Sequence, residues 1–189
     1  MLVDAKPDSG FYHVRTEDDQ VGWVTTKALT VSKAPLALTP PPPGPFPPPA
    51  AGCDSNLESH VYHPARLIVK LQCISVAGTF VDATAGREPD GVRHEADGDT
   101  HGWLKLDPEF QNLVNAGNIS AEGGNLVFEI VCRYTVTQAD AKSACQGYTD
   151  HVTLPPVGSH VRILGVYVQD TFHAQWMEIH PVTSITVIP

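Results

Sequence analysis

Two short segments of this 189-residue chain, residues 94–101 and 173–180, concentrate the side chains that are best suited to chemistry. Both segments are rich in carboxylates and imidazoles, the groups that bind divalent cations. We predict that they supply the ligands of one metal site. The predicted ligands are Asp97, Asp99, His101, His173 and His180. If the site is catalytic, Glu178 is placed to act as its general base.

The spacing of these residues is compatible with two kinds of cation. Asp97 and Asp99 flank a glycine, which lets the backbone turn so that both carboxylates face one ion, as in calcium loops. Asp99 and His101 share one side of a predicted strand. Glu178 and His180 share one side of another, and imidazoles beside carboxylates suit zinc. Calcium and zinc both remain open.

The same residues have a second interpretation as an exposed turn. Asp-Gly-Asp is ordinary turn chemistry, and the histidines would then bond to loop backbone or stand in solvent. Hydrolase motifs do not decide the matter, because neither the HExxH zinc-peptidase pattern nor the GxSxG nucleophile elbow occurs in the chain. A metal site and a histidine-decorated turn are both retained as hypotheses.

The charge and hydropathy of the chain exclude several partners. A formal net charge of -9, with only 12 Lys and Arg, would repel nucleic acid over most of the surface. Aromatic residues make up 7% of the chain, too few for a base-stacking surface. No apolar run approaches the roughly 20 residues of a transmembrane helix, and no signal-like leader opens the chain. We therefore expect a soluble protein with no transmembrane segment and no nucleic-acid partner.

The four cysteines of the chain indicate the cellular compartment in which the protein resides. They lack the CxxC spacing of zinc and redox motifs, and their even number favours disulfides. Of three possible pairings we favour Cys53 with Cys73 and Cys132 with Cys145, because each closes a local loop that contributes about 3 kcal/mol in a chain-entropy treatment. Disulfides would place the protein in the periplasm or outside the cell. The alternative is a cytosolic protein with four buried thiols.

A proline-rich stretch divides the chain. Residues 34–52 contain nine prolines and almost no charge, so we predict an extended polyproline II linker. This linker would join a first segment, residues 1–33, to a domain that covers residues 53–189.

The first segment is predicted to form a β-hairpin. The side chains of Phe11–Arg15 alternate between the two faces of one predicted strand. An acidic turn follows, and Val21–Val24 form a second strand. Together with Leu29, these residues resemble the ending of bacterial SH3 domains, which reads GFYKVRT, a turn, then GWV and a leucine. The resemblance covers about thirty residues, half of a barrel of roughly sixty. It implies a fragment that lacks its N-terminal half or leans on the second domain, since a lone hairpin is marginally stable.

The second domain is predicted to be mainly β, with five strands and one short helix. Gly78 lies inside the first strand and predicts a strong bend there. The predicted strands are 65–83, 101–107, 125–134, 161–169 and 176–188, with a helix over Thr137–Cys145. This order resembles the OB fold, a five-stranded Greek-key barrel that binds ligands with one face and with the loops joining strands 1–2 and 4–5. The resemblance places the two ligand-rich segments in those loops, at one end of the barrel.

Two further stretches carry a resemblance. Residues 97–101, Asp-Gly-Asp-Thr-His followed by Leu104, and residues 178–182, Glu-Ile-His-Pro-Val, are similar to segments in a group of secreted bacterial OB-like domains. That similarity implies the fold and an extracellular or periplasmic location, and it implies no particular activity.

Two functions are consistent with these observations. The first is a secreted or envelope binding module that holds a divalent cation, calcium or zinc, or a small ligand between the two loops, with a small molecule or a cell-envelope component as its partner. The second is a small metal-dependent hydrolase of an ester or lactone, acyl-homoserine lactones among them, in which the cation lowers the pKa of a bound water.

Overall fold

A computed structural model of the chain describes residues 11–15, 21–25 and 46–189. The chain forms two compact units, Met1–Leu38 and Thr39–Pro189. In the first unit, β1 (Phe11–Arg15) and β2 (Val21–Thr25) pair antiparallel, so the predicted hairpin is confirmed. The predicted acidic turn, Leu29 and linker residues 34–45 lie outside the described residues. The likeness to SH3 domains therefore stays a prediction.

Over its described residues, 46–189, the second unit contains six strands and one α-helix. Its strands are β3 (Leu67–Val81), β4 (Arg93–His94), β5 (Thr100–Leu106), β6 (Leu126–Phe128), β7 (His160–Asp170) and β8 (Met177–Val187). The helix α1 spans Ala116–Ala121, and short 3-10 helices cover Ser55–His60, Pro64–Arg66 and Pro108–Leu113. Among the described residues, no helix is long and apolar enough to cross a membrane.

Five of these strands close into a barrel. The sheet runs in the order β3-β7-β8-β6-β5, and β5 pairs back onto β3. All of the pairings are antiparallel except that of β6 with β8, which is parallel. The mainly β fold class is thus confirmed, and the closed five-stranded arrangement is consistent with an OB-like barrel.

The closure depends on Gly78 in β3. Gly78 pairs with Val161 of β7 on one side and with Leu106 of β5 on the other. A Cβ atom at this position would lie 2.4 Å from the carbonyl oxygen of Lys105. Only a glycine allows β3 to pass this close to β5, which is why the strand carries a glycine where its pairing with β5 begins.

The interior of the barrel is apolar over most of its length. Alternate residues of the strands point inward and are fully or nearly fully buried, as the period of two requires. The largest of these buried apolar side chains are Ile74, Phe80, Leu104, Leu126, Phe128, Ile163, Tyr167 and Ile179. The charged residues described below interrupt this core on one side.

The helix lies elsewhere than predicted. Residues 137–147 form successive turns with i to i+3 hydrogen bonds, such as Ala144 N–H to the Ala141 carbonyl, and no regular helix. The amides of Thr137 and Gln138 both donate to the carbonyl of Ala96, which holds the segment against the β4–β5 loop. The helix is instead α1, between β5 and β6, where Asn115 forms a capping box with Asn118.

The third barrel strand is also shorter than predicted. It ends at Phe128, whereas the apolar pattern predicted a strand to residue 134. Beyond Phe128 the Glu129 N–H still donates to the Ile179 carbonyl of β8, but the Ile130 N–H donates to the Thr100 hydroxyl and not to a strand backbone. The predicted order of elements, with the helix before the fourth strand, is therefore wrong, although all five strands are present.

Both predicted disulfides are confirmed. Cys53 is bonded to Cys73, and Cys132 is bonded to Cys145. The first joins the end of the proline-rich stretch to β3. There, Ala50 N–H donates to the Cys73 carbonyl at 3.0 Å, and the ring of Phe46 packs edge-on against Tyr167. Residues 46–53 are thus attached to the barrel.

Candidate functional site

A buried histidine, His180 on β8, stands at the centre of the candidate site. Its side chain is 1% exposed. Its Nδ1 atom lies 2.7 Å from Oε2 of Glu129 and 3.1 Å from Oε1 of Glu178. Because both neighbours are carboxylates, Nδ1 carries the proton and donates it, which turns the other ring nitrogen, Nε2, toward Asp99.

Two buried polar atoms at this centre have no hydrogen-bond partner. They are Nε2 of His180 and Oδ2 of Asp99, and they lie 3.7 Å apart. This distance is too long for a hydrogen bond. It is suitable for two ligands of one ion, since metal–ligand distances of about 2.0–2.2 Å allow a ligand separation of up to about 4.3 Å. One ligand atom from each of Asp99, Glu129 and His180 lies within 4.8 Å of the other two.

Strand pairing explains why these side chains meet. The parallel pairing of β6 with β8 puts Phe128 beside Ile179, so the next residues, Glu129 and His180, are also neighbours. Asp99 immediately precedes β5. The strand β6 lies between β5 and β8 and pairs with both. Its second oxygen, Oδ1, accepts a 2.7 Å hydrogen bond from Cys132 N–H, which fixes the direction of Oδ2.

A second group of charges surrounds this centre. His101 on β5 lies 3.0 Å from Glu122 through Nε2 and 3.6 Å from Glu129 through Nδ1. Arg66 donates to Asp170 at 2.8 Å and lies 3.6 Å from Glu129. Glu129 therefore faces three basic side chains, His101, His180 and Arg66, which holds it in one orientation.

The burial and the pairing of these groups shift their pKa values in opposite directions. Burial raises the pKa of Asp99 to about 8, an effect that the charge of His180 only partly offsets. Burial would also raise the pKa of Glu129, but the charge of His180 and the hydrogen bonds to His101 and His180 outweigh it and lower that pKa. For His180, burial lowers the pKa, yet Glu129 and Glu178 raise it well above 6.5.

The protonation pattern that follows means that a cation would have to displace protons from its ligands. Burial, then the charge of Glu129, raises the pKa of Glu178. Near neutral pH, when the site holds no cation, Asp99 therefore retains its proton, Glu129 is ionised, and the raised pKa of His180 favours a second proton on Nε2. A divalent ion beside Asp99 would supply the positive charge that lets this buried carboxyl ionise.

Four of the six residues predicted for the site are brought together. Asp99, His101, Glu178 and His180 are all buried in one cluster. Asp97 is half-buried in the preceding loop, where its Oδ1 accepts the amide proton of Asp99. Its carboxylate is not among the converging ligand atoms in the part of the chain that the structure describes.

His173 lies at the edge of this cluster. Its side chain is 55% exposed, its Nδ1 bonds to Asp170 at 2.9 Å, and its ring stacks on Trp176. It is likewise absent from the converging set over residues 46–189. Its role as a ligand stays a prediction.

Glu178 is the predicted general base, and its surroundings do not provide for that chemistry. It is fully buried, its Oε1 lies beside His180 Nδ1, and its Oε2 accepts a 2.6 Å hydrogen bond from the indole N–H of Trp176. Both oxygens are thus occupied. A carboxylate that activates water has to face the water.

The sequence analysis did not identify Glu129, which lies in the middle of the cluster. A signal for it exists: Glu129 is the one charged residue in the apolar run of residues 126–131. A carboxylate within a buried strand requires a partner, because an unpaired buried charge is strongly destabilised. Arg66, Glu122 and Asp170 carry no comparable signal, since each lies outside the apolar runs or at the edge of one and not inside it.

An open groove lies apart from the cluster. It has a volume of about 510 Å³ and is lined by residues 148–153 and 183–185 together with Asp54 and Leu57. None of the cluster residues lines it. The converging ligand atoms are therefore enclosed by the barrel and do not form the floor of this groove.

Comparison with known proteins found no match: no family model, no curated protein and no solved structure matches the chain. The chemistry of the buried cluster is what bears on function.

Proposed function

We propose that this protein is a secreted or envelope binding module whose barrel holds a divalent cation at Asp99, Glu129 and His180. The observation that carries the proposal is the pair of buried atoms without partners, Asp99 Oδ2 and His180 Nε2, at 3.7 Å. Buried polar groups in folded proteins are almost always satisfied, and each one left alone costs about 1–3 kcal/mol. One ion between the two atoms would satisfy both.

The ligand set favours zinc over calcium. Calcium takes six to eight oxygen ligands, whereas this centre offers one imidazole nitrogen and two carboxylates. Zinc accepts nitrogen and oxygen ligands at low coordination number. Glu178 Oε1, which lies 3.1 Å from His180 Nδ1, corresponds to the outer carboxylate of the carboxylate–histidine–zinc arrangement, which orients the ligating ring.

The enclosure of the site favours a structural cation over a catalytic one. Structural zinc sites are closed, whereas catalytic sites keep an open position for water or substrate. Asp99 and His180 are 2% and 1% exposed, and Glu178 has both oxygens occupied. The binding-module hypothesis is therefore preferred over the metal-dependent hydrolase.

The location and the partner belong to the same proposal. Two disulfides are typical of oxidising compartments, outside the cytosol. The hairpin formed by β1 and β2, which resembles part of a bacterial SH3 domain, would contact a cell-envelope component. The cation would then stiffen the barrel that carries this hairpin.

Metal binding by the purified protein tests the proposal. After treatment with a chelator, the protein is titrated with Zn²⁺, Ca²⁺ and Mg²⁺ while its melting temperature and metal content are followed. We expect Zn²⁺ to bind at one equivalent and to raise the melting temperature, with no effect of Ca²⁺ or Mg²⁺ at equal concentration. His180→Gln should abolish the zinc effect.

His173→Gln is the matched control, because it removes an imidazole beside the cluster that lies outside the converging set. It should bind zinc as the parent does. Equal zinc binding by the parent and by His180→Gln would overturn the proposed site, and stabilisation by Ca²⁺ alone would overturn its zinc character.

A further inference from the structure

The carboxylate of Asp99 belongs to a second group of potential ligands. A ligand atom of Asp99 and the Sγ atoms of Cys132 and Cys145 all lie within 4.8 Å of one another. In the oxidised protein the two sulfur atoms are bonded to each other. Thiolates, not disulfide sulfurs, are the soft ligands that bind zinc strongly. The same three residues would thus offer two thiolates and one carboxylate if the disulfide were reduced.

The backbone around these sulfur atoms is held by bonds that do not depend on the disulfide. Cys132 N–H donates to Asp99 Oδ1 at 2.7 Å, and the Cys132 carbonyl accepts from Asp150 N–H at 3.2 Å. On the other side, the amides of Thr137 and Gln138 both donate to the Ala96 carbonyl at 2.9 Å. Reduction therefore leaves Cys132 fixed beside Asp99 and the 137–147 turns tied to the β4–β5 loop.

We propose that reduction of the Cys132–Cys145 disulfide creates a second, thiolate-rich zinc site completed by Asp99. Two thiols of a reductant supply two electrons and two protons. The Sγ–Sγ bond breaks, each cysteine becomes a thiol, and the reductant becomes a disulfide. A zinc ion then displaces the two thiol protons and is bound by both sulfurs and by one carboxylate oxygen. The disulfide thus prevents zinc from binding at this site until it is reduced.

The other disulfide lacks such surroundings. Cys53 and Cys73 belong to no group of three converging ligands within the described ranges. Cys53 Sγ instead faces the backbone carbonyl of Gly165 at 3.4 Å. The pair Cys53 and Cys73 is therefore an internal control for what reduction alone does.

This inference does not depend on the proposed function, although the two sites share Asp99. The thiolate site uses neither His180 nor Glu129, so the two proposals fail separately. His180→Gln should abolish zinc binding by the oxidised protein and leave that of the reduced protein in place. Cys132→Ser with Cys145→Ser should abolish thiolate ligation in the reduced protein and leave zinc binding at His180 in place.

Cobalt is the probe for thiolate ligation. The experiment uses the full chain with Cys53→Ala and Cys73→Ala, reduced with a phosphine that is then removed under anaerobic conditions. Addition of Co²⁺ should produce a thiolate-to-cobalt charge-transfer absorption that saturates at one equivalent and is displaced by Zn²⁺. The oxidised form of the same variant should show no such band. Zn²⁺ should also protect both remaining thiols from alkylation.

Two further variants distinguish the site from adventitious thiol binding. Asp99→Asn should weaken Co²⁺ binding to the reduced form by about 10-fold or more, a loss typical of removing a group that supports a metal site. The chain that retains only Cys53 and Cys73 should show no charge-transfer band after reduction.

The result that would overturn the proposal is a reduced protein that remains folded and shows no charge-transfer band. A band of equal strength from Cys53 and Cys73 alone would overturn it as well. If reduction unfolds the protein, circular dichroism decides: recovery of the fold on addition of Zn²⁺, with both thiols protected, supports the site, and failure to recover contradicts it.

Discussion

At the scale of single residues, the decisive feature is a carboxyl group that is buried with only half of its hydrogen bonds made. Asp99 Oδ1 accepts the amide proton of Cys132, whereas Oδ2 has no partner. Its raised pKa, about 8, means that the folded protein binds a proton that the unfolded chain releases near pH 4. Through this group the cation-free protein therefore loses stability as the pH rises from about 4 to about 8.

Asp99→Asn should remove this loss. Asparagine keeps the oxygen that accepts from Cys132 and has no charge to bury. In the presence of a chelator we expect the variant to match the parent at pH 5 and to be more stable by about 1–3 kcal/mol at pH 8, the scale of an unsatisfied buried group. Urea unfolding at the two pH values measures the difference.

Asp97→Asn is the control for this prediction, since Asp97 is half-buried and accepts a backbone amide from the same turn. Because the charge of Asp97 is one of the causes that raise the pKa of Asp99, this variant should reduce the loss of stability with rising pH only in part. The account of Asp99 would be refuted if Asp99→Asn had the same pH dependence as the parent.

At the scale of elements, the site depends on how closely two strands approach. At Gly78, β3 pairs with β7 along one edge and begins to pair with β5 along the other. This contact closes the barrel and positions β5, which follows directly after Asp99. The close approach of Gly78 to the Lys105 carbonyl cannot be relieved by rotating a side chain, because the obstacle is backbone.

Gly78→Ala should therefore destabilise the protein by about 1–3 kcal/mol or more, as overpacking of a rigid site does. Because β5 would be displaced, zinc affinity should fall together with stability. Chemical denaturation and a zinc titration of the same variant test both effects. Ser75→Ala, a half-buried position on the same strand, is the control and should change neither stability nor zinc affinity. If Gly78→Ala kept the zinc affinity of the parent, the metal site would not depend on closure of the barrel at Gly78.

At the scale of the whole molecule, the chain consists of two compact units, and the described residues of the candidate site all belong to the second one. Residues 46–53 are attached to the barrel by the Ala50–Cys73 hydrogen bond and by the Cys53–Cys73 disulfide. The functional properties of the site should thus be contained in a fragment that begins before Phe46.

Limited trypsin digestion tests this division, because Lys27 and Lys33 precede the attached segment. We expect a resistant fragment that begins at Ala28 or Ala34 and retains the zinc-dependent rise in melting temperature. Mass spectrometry identifies the fragment, and a melt with and without zinc measures the rise. Loss of zinc binding on cleavage would show that the first unit contributes to the site.

The sequence by itself determined the mainly β class, the presence of the five barrel strands with four of them placed within a few residues, the hairpin and both disulfides. These features depend on local information: the period of two in strands, the bend at Gly78, and the short separations between paired cysteines. It also predicted that the segments around Asp99 and His180 come together, because both flank strands of one expected barrel.

Only the tertiary structure decided where the helix lies and which side chains face the buried centre. The turns over residues 137–147 are held by bonds to Ala96, a contact across some forty residues that local helix propensity does not register. Glu129 enters the site because parallel pairing of β6 with β8 places it beside His180. His173 points to the surface because Asp170 holds its ring there. Such choices depend on strand register and burial, which are properties of the assembled barrel and not of either segment alone.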